Sequence, residues 1–133
     1  MLDFFKNNTT LSLGQLGERS AAIYLKNLGY KIVCVNFTNK HGRRLGEIDI
    51  IAKDSKQIVF VEVKTRKKTH YNNHNLPEEN IGYQKLFKLK KISEYYIKTN
   101  NLWDVSYRFD AISLIYDQQT EIFTIKHLKS IFL

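Results

Sequence analysis

Cysteine and proline are almost missing: the 133 residues hold one of each. A lone Cys34 excludes an intrachain disulfide, a thiolate zinc cage and a Cys-x-x-Cys redox pair. Nothing therefore calls for an oxidising compartment, and the cytoplasm is the expected location. No run of about 18 apolar residues occurs, so no membrane-spanning helix is expected. The opening Met1–Asn8 is too polar for a signal peptide. Gly-rich phosphate loops, Ser-His-Asp sets and nucleotide fingerprints are missing too, which argues against ATP dependence. With 43% hydrophobic and 26% charged residues, the composition excludes wholesale disorder. The length suits one domain over residues 1–133, with 1–12 as a peripheral N-terminus and 69–80 as a loop.

Acidic residues are outnumbered. Twenty-one Lys and Arg against 13 Asp and Glu give a net charge of +8. Such a surface suits a polyanion, nucleic acid above all. A Lys-, Asn- and Ile-rich composition also arises in an AT-rich genome, so the total alone leaves both readings open. The distribution is more informative, because residues 64–98 carry nine basic and three acidic residues while 99–133 carry three and four.

Apolar residues at three- and four-residue steps predict a helix over Leu13–Leu28, stopped by Gly29. Strands are predicted at Tyr30–Phe37, Glu47–Lys53 and Ile58–Thr65, a second helix at Ile81–Lys98, and strands at Val105–Tyr116 and Glu121–Ile125. The order αβββαββ predicts an α/β fold with helices flanking a mixed sheet.

The chemistry gathers on the central hairpin. Side chains alternate along a strand, so Glu47, Asp49 and Ile51 share a face, as do Ile58, Phe60, Glu62 and Lys64. If residues 54–57 form the loop, Lys53 faces Ile58, Ile51 faces Phe60, Asp49 faces Glu62 and Glu47 faces Lys64. Opposed residues have Cβ atoms about 4.5–5.5 Å apart. Two carboxylates and an ammonium then meet within an apolar strand, where charge costs stability unless paired or metal-bound. One reading is a divalent cation, since hard oxygen ligands suit Mg²⁺ or Mn²⁺. Such an ion activates water and holds a phosphate oxygen, and Lys64 beside it would stabilise a phosphorane. The other reading is a solvated patch of cross-strand salt bridges such as Glu47–Lys64. Spacing leaves both open.

Glu47-Ile-Asp49 followed by Glu62-Val-Lys64 resembles the signature of the PD-(D/E)-x-K nuclease superfamily, with Ile48 where the name has proline. Gly14-Gln-Leu-Gly-Glu18, Ala21–Leu25, Gly29-Tyr30, Asn36, Gly46–Ala52, Val59–Arg66 and Arg108-Phe-Asp110 recur in order and resemble the YraN-like family of small bacterial endonuclease-like proteins. The similarity runs from about Gly14 to Phe132, and the segment Thr69–Glu79 departs from the family's usual one. The resemblance implies a restriction-endonuclease-like core, phosphodiester hydrolysis and a need for Mg²⁺ or Mn²⁺. It makes Asp49 and Glu62 metal ligands and Lys64 the catalytic lysine. Glu18 matches a helical Glu that resolvase-type relatives add to the site, and Lys85 a helical Lys or Gln aimed at the phosphate.

Arg43 and Arg44, Arg66, Lys67 and Lys68, and the helical Lys85, Lys88 and Lys91 are candidates for gripping nucleic-acid phosphates, or else solvated charges. Arg108 and Asp110, two apart on a strand, are expected to pair as structural residues. His41, His70, His74 and His127 lack metal-ligand spacing, and Tyr95 and Tyr96 suit core or rim. The leading expectation is a metal-dependent endonuclease acting on DNA, in preference to RNA, at branched, damaged or single-stranded structures. A homodimer would suit cutting of two strands. The alternatives are a non-catalytic nucleic-acid-binding module on the same scaffold, and a protein-interaction domain using the apolar C-terminal tail.

Overall fold

The computed structural model describes residues 11–69 and 82–131. The elements are α1 (Leu13–Asn27), β1 (Lys31–Phe37), β2 (Ile48–Asp54), β3 (Gln57–Lys67), α2 (Tyr83–Thr99), β4 (Tyr107–Asp117) and β5 (Ile122–Leu128). The expected element order holds, and the result is a mixed α/β fold. The sheet runs β1-β2-β3-β4-β5. All neighbours are antiparallel except β3 and β4, which are parallel and joined through α2. The expected loop 69–80 and N-terminus 1–12 fall mostly outside the described residues, as do His70 and His74. No helix among the described residues is long and apolar enough to cross a membrane.

Helix α1 starts with a capping box, in which Ser12 and Gln15 exchange hydrogen bonds of 3.2 and 2.9 Å. It ends where Gly29 takes φ +94° and the Tyr30 N–H reaches back to the Leu25 carbonyl, a Schellman closure. Its Ala21 and Leu25 pack with Tyr30, Ile50, Ala52, Val59, Val61, Val63, Ile112 and Leu114. Helix α2 covers a second cluster, in which Leu89, Ile92 and Ile97 meet Ile48, Ile51, Ile58 and Phe60. Each such side chain, fully buried, adds about 1.5–3 kcal/mol. Helix α1 comes within touching distance of β3 only because residue 17 is glycine: a Cβ there would lie 1.9 Å from Thr65 Oγ1.

The hairpin register is the expected one, with Lys53 opposite Ile58 and Ile51 opposite Phe60. Its loop is shorter than expected. Asp54 pairs with Gln57, leaving Ser55-Lys56 as a two-residue turn in which Ser55 takes φ 56°. At the other end the paired register reaches Ile50–Val61. Beyond it the Val63 N–H donates to Asp49 Oδ2 at 2.8 Å, so a side chain takes the donor that the ladder would use.

Candidate active site

That loosened end of the β2–β3 pair is where the acids collect. Strand β2 supplies Asp49, β3 supplies Glu62, and the first turns of α2 supply Lys85 and Lys88. They surround a cleft of about 480 Å³, completed by Gly46, Glu47, Gly82, Gln84 and Leu89. The cleft closes tightly at one corner, where a Cβ on Gly46 would stand 3.2 Å from the Lys88 carbonyl oxygen. Glu62 is 2% exposed, so the solvated-patch reading fails for it. Its buried Oε1 is paired with the Lys85 ammonium.

Burial, and then the negative field of Glu62, push Asp49 up to about 7 from an ordinary 3.8, against the pull of the Val63 N–H and Lys85. Burial also raises Glu62, although the pairing with Lys85 and the field of Lys64 act against it. Burial opposes the Lys85 charge, but the pairing with Glu62 and the fields of Asp49 and Glu47 outweigh it, and its pKa rises. Burial is thus the main cost of charge in the cleft, and Asp49 bears the repulsion of Glu62 besides.

Glu18 reaches this centre from α1. Burial raises its pKa first, then the fields of Asp49 and Glu47. Asn36 on β1 links the layers. With its amide nitrogen turned to the acids, it donates to Glu18 Oε2 at 3.1 Å and Glu47 Oε1 at 3.0 Å. Its backbone is left-handed, with φ 52°, a conformation asparagine tolerates better than most residues. Among the described residues no three His, Cys, Asp or Glu side chains are spaced to hold one ion. Glu18 therefore does not form a three-carboxylate cage with Asp49 and Glu62; Asn36 ties it toward Glu47 instead.

The basic candidates divide. Lys85 and Lys88 line the cleft, whereas Lys91 lies over the Phe87 ring, 5.5 Å from its centroid. The expected Glu47–Lys64 pairing gives way to Arg44–Glu47 at 3.2 Å, since the ladder that would align Lys64 has ended and Arg44 is three residues away. Lys64 is half-buried next along β3 from the Glu62 site, outside the cleft walls, and its charge acts on Glu62. Arg43 is exposed, its carbonyl accepting from Asn39. Lys68 pairs with Asp117 at 3.5 Å, and Arg66 and Lys67 lie just before it, near the end of β3.

The family model described as "Uncharacterised protein family UPF0102" matches residues 17–114. The chain belongs to the UPF0102 family. This is the YraN family that the motifs resemble. A UPF0102 protein of Clostridium acetobutylicum is 40% identical over 119 residues, covering 90% of this chain and 92% of its own. One from Caldicellulosiruptor bescii is 40% identical over 121 residues, covering 90% and 96%. One from Caldanaerobacter subterraneus is 43% identical over 103 residues, covering 77% and 79%.

Beyond the cleft, this UPF0102 chain buries a second polar group. Arg108, expected to pair with Asp110, does so at 3.0 Å. It also reaches Asp54 at 3.1 Å, Gln57 at 2.7 Å and the Tyr30 hydroxyl at 2.7 Å. His127 bonds Asp110 at 2.8 Å and the Tyr24 hydroxyl at 3.1 Å. Tyr95 and Tyr96 pack against the α2-side core, as core or rim residues should. The sequence reading did not single out Asn36 or Gln84 for the site. Asn36 had one visible signal, a polar side chain near the end of the largely apolar strand Ile32–Phe37.

Proposed function

We propose that this chain is a metal-dependent nuclease built on a restriction-endonuclease-like core, hydrolysing phosphodiester bonds in DNA. The observation that carries this reading is the buried pairing of Asp49 with Glu62. Burial raises the cost of ionising both, the charge of Glu62 raises it further for Asp49, and among the described residues the half-exposed Lys85 ammonium pairs with Glu62. A divalent ion relieves such a conflict better than a lysine does, and Mg²⁺ commonly binds through one or two carboxylates while keeping waters. The donor set fits: all oxygen, with the buried Glu62 Oε1 paired to a Lys85 ammonium whose place a divalent ion could take. When bound, Mg²⁺ or Mn²⁺ supplies an activated water and charge for the phosphoryl oxygens.

The chain's own residues have separable tasks. Val63 fixes one Asp49 oxygen through its backbone N–H, which leaves the other to face the cleft. Lys85 and Lys88, on the opposing wall, meet the substrate phosphate, and Lys64 adds positive charge behind Glu62. Glu18, held by Asn36, lies near enough to orient a water toward Asp49. Arg43, Arg44 and Arg66–Lys68 lie outside the cleft and suit contacts to the flanking backbone.

The test is cleavage of labelled single-stranded, duplex, flap and four-way-junction DNA and single-stranded RNA with Mn²⁺, Mg²⁺ or EDTA. Cuts should need metal and disappear in Asp49→Ala and Glu62→Ala; normal cutting by either variant would refute the proposal. The Lys85–Glu62 ion pair favours a second reading, a non-catalytic nucleic-acid-binding module, because it balances part of the buried charge without metal. In that case binding persists in EDTA, falls steeply with salt and ignores loss of Asp49.

A further inference from the structure

Helix α2 spends Leu89, Ile92 and Ile97 on the core, yet leaves two large aromatic side chains in water at its start. Tyr83 is 84% exposed and Phe87 54%. Four residues apart, they share one helix face, separated by about 6 Å along the axis. Between them in sequence, Gln84 and Lys85 turn into the acidic cleft, and Lys88 comes next on the same wall. The first two turns therefore carry the cleft wall on one side and an aromatic pair on the other.

We propose that Tyr83 and Phe87 form a stacking platform for unpaired bases, which would make the substrate of the proposed site single-stranded or a branched nucleic acid with an unpaired strand. Hydrolysis of a strand held there rests on the nuclease reading, whereas its binding does not. Three observations select the occupant. First, α2 carries Lys85, Lys88, Lys90, Lys91 and Lys98 against a single acid, Glu94, or 5 − 1 = +4, which matches a phosphate backbone. Second, the two exposed aromatic residues stand about one helical turn apart on one face, which offers neighbouring stacking surfaces to successive bases. Third, Lys91 lies over one face of the Phe87 ring, 5.5 Å from its centroid, so a stacking base takes the opposite face or moves the ammonium onto a phosphate. A duplex buries the faces of its bases in its own stack, whereas an unpaired strand offers them to aromatic side chains. A strand stacked here has its backbone beside Lys90 and Lys91 and rounds the start of α2 to reach Lys85 and Lys88 on the cleft wall. A membrane surface also attracts basic helices, but the apolar stripe of α2 is already buried in the core, leaving two rings where an interfacial helix presents a whole face.

The experiment is fluorescence anisotropy on the full chain in EDTA, with labelled oligo-dT and a labelled duplex as probes and phosphatidylglycerol vesicles as a third arm. Tyr83→Ala combined with Phe87→Ala should weaken oligo-dT binding about tenfold or more and duplex binding less than twofold. Tyr83→Phe and Phe87→Tyr should retain binding, which separates stacking from any fault in folding; circular dichroism checks the helix in each. Equal losses on both probes, no loss on either, or an aromatic-dependent affinity for vesicles without preference for oligo-dT would overturn the platform. Hydrolysis of bis(p-nitrophenyl) phosphate with Mn²⁺, lost in Asp49→Ala, tests the nuclease reading separately. A chain that prefers unpaired strands yet hydrolyses nothing keeps the platform and loses the nuclease. One that hydrolyses the diester without strand preference does the reverse.

Discussion

Asp110 and Glu62 are about equally hidden from water, at 0% and 2% exposure, yet their surroundings differ in kind. Asp110 takes a bond from Arg108 and the Ser130 N–H on one oxygen and from His127 on the other. Burial raises its pKa, but those bonds overcome the penalty and the net shift is downward. Glu62 and its neighbour Asp49 have too few donors, and both shift upward. Burial is thus no guide to role. A buried acid with its lone pairs filled stabilises a fold, whereas a buried acid left short of donors can receive something from outside.

The sharpest way to break this contrast is to strip a donor from the satisfied cluster. Arg108→Ala leaves Asp110 charged and under-bonded, and should cost about 3–5 kcal/mol in urea unfolding. A loss under 1 kcal/mol would mean that the cluster does not hold the fold as described. Next is Lys85→Met, which removes the Glu62 counter-ion. The metal-free variant should lose about 1–3 kcal/mol, and Mn²⁺ should raise its melting temperature more than it raises that of the wild type. An equal rise in both would show that the ammonium and the ion do not share a place.

The two clusters should also respond to pH with opposite sign. Asp49 has a folded pKa of about 7, above its ordinary 3.8. Its contribution is therefore fully present below about pH 4 and lost as pH rises through 7. Asp110, held below its ordinary value, contributes above that value and loses its contribution as pH falls. In EDTA, Asp49→Asn should flatten the alkaline side of the stability profile, gaining about 3–5 °C at pH 8 for each kcal/mol relieved. Asp110→Asn should flatten the acid side instead. A profile unchanged by Asp49→Asn would contradict the charge conflict in the cleft. The smallest effect belongs to Arg44→Ala, whose exposed pair with Glu47 is worth about 0–1 kcal/mol by thermal melting.

The sequence made the hairpin readable because one face of each strand is buried, and a one-residue slip would reverse every side chain. Lys53 opposite Ile58 and Ile51 opposite Phe60 came from placing the turn at residues 54–57, a register that the shorter Ser55-Lys56 turn preserves. The same logic brought Asp49 toward Glu62, but it failed for Glu47 and Lys64. Alternation holds only while the ladder does, and the registered pairs run no further than Ile50–Val61. Arg108 with Asp110 was legible from a two-residue spacing. Their partners Tyr30, Asp54, Gln57 and His127, and the Tyr24 that bonds His127, were not, being scattered over a hundred residues of chain. Asn36 needed knowledge of a left-handed backbone and of three elements converging on it, neither of which periodicity encodes.

The parallel join of β3 to β4 has a consequence in time. The chain must pass through α2 before β4 can pair beside β3, so Glu62 has been synthesised well before Lys85 and the strand that flanks it. Until α2 and β4 are in place, the fold lacks two of the elements that enclose the Glu62 carboxylate. The electrostatic tension in the cleft is consequently a late product of folding, present only in a molecule whose layers have all closed. A ribosome-bound fragment ending before α2 carries both acids and none of their chemistry.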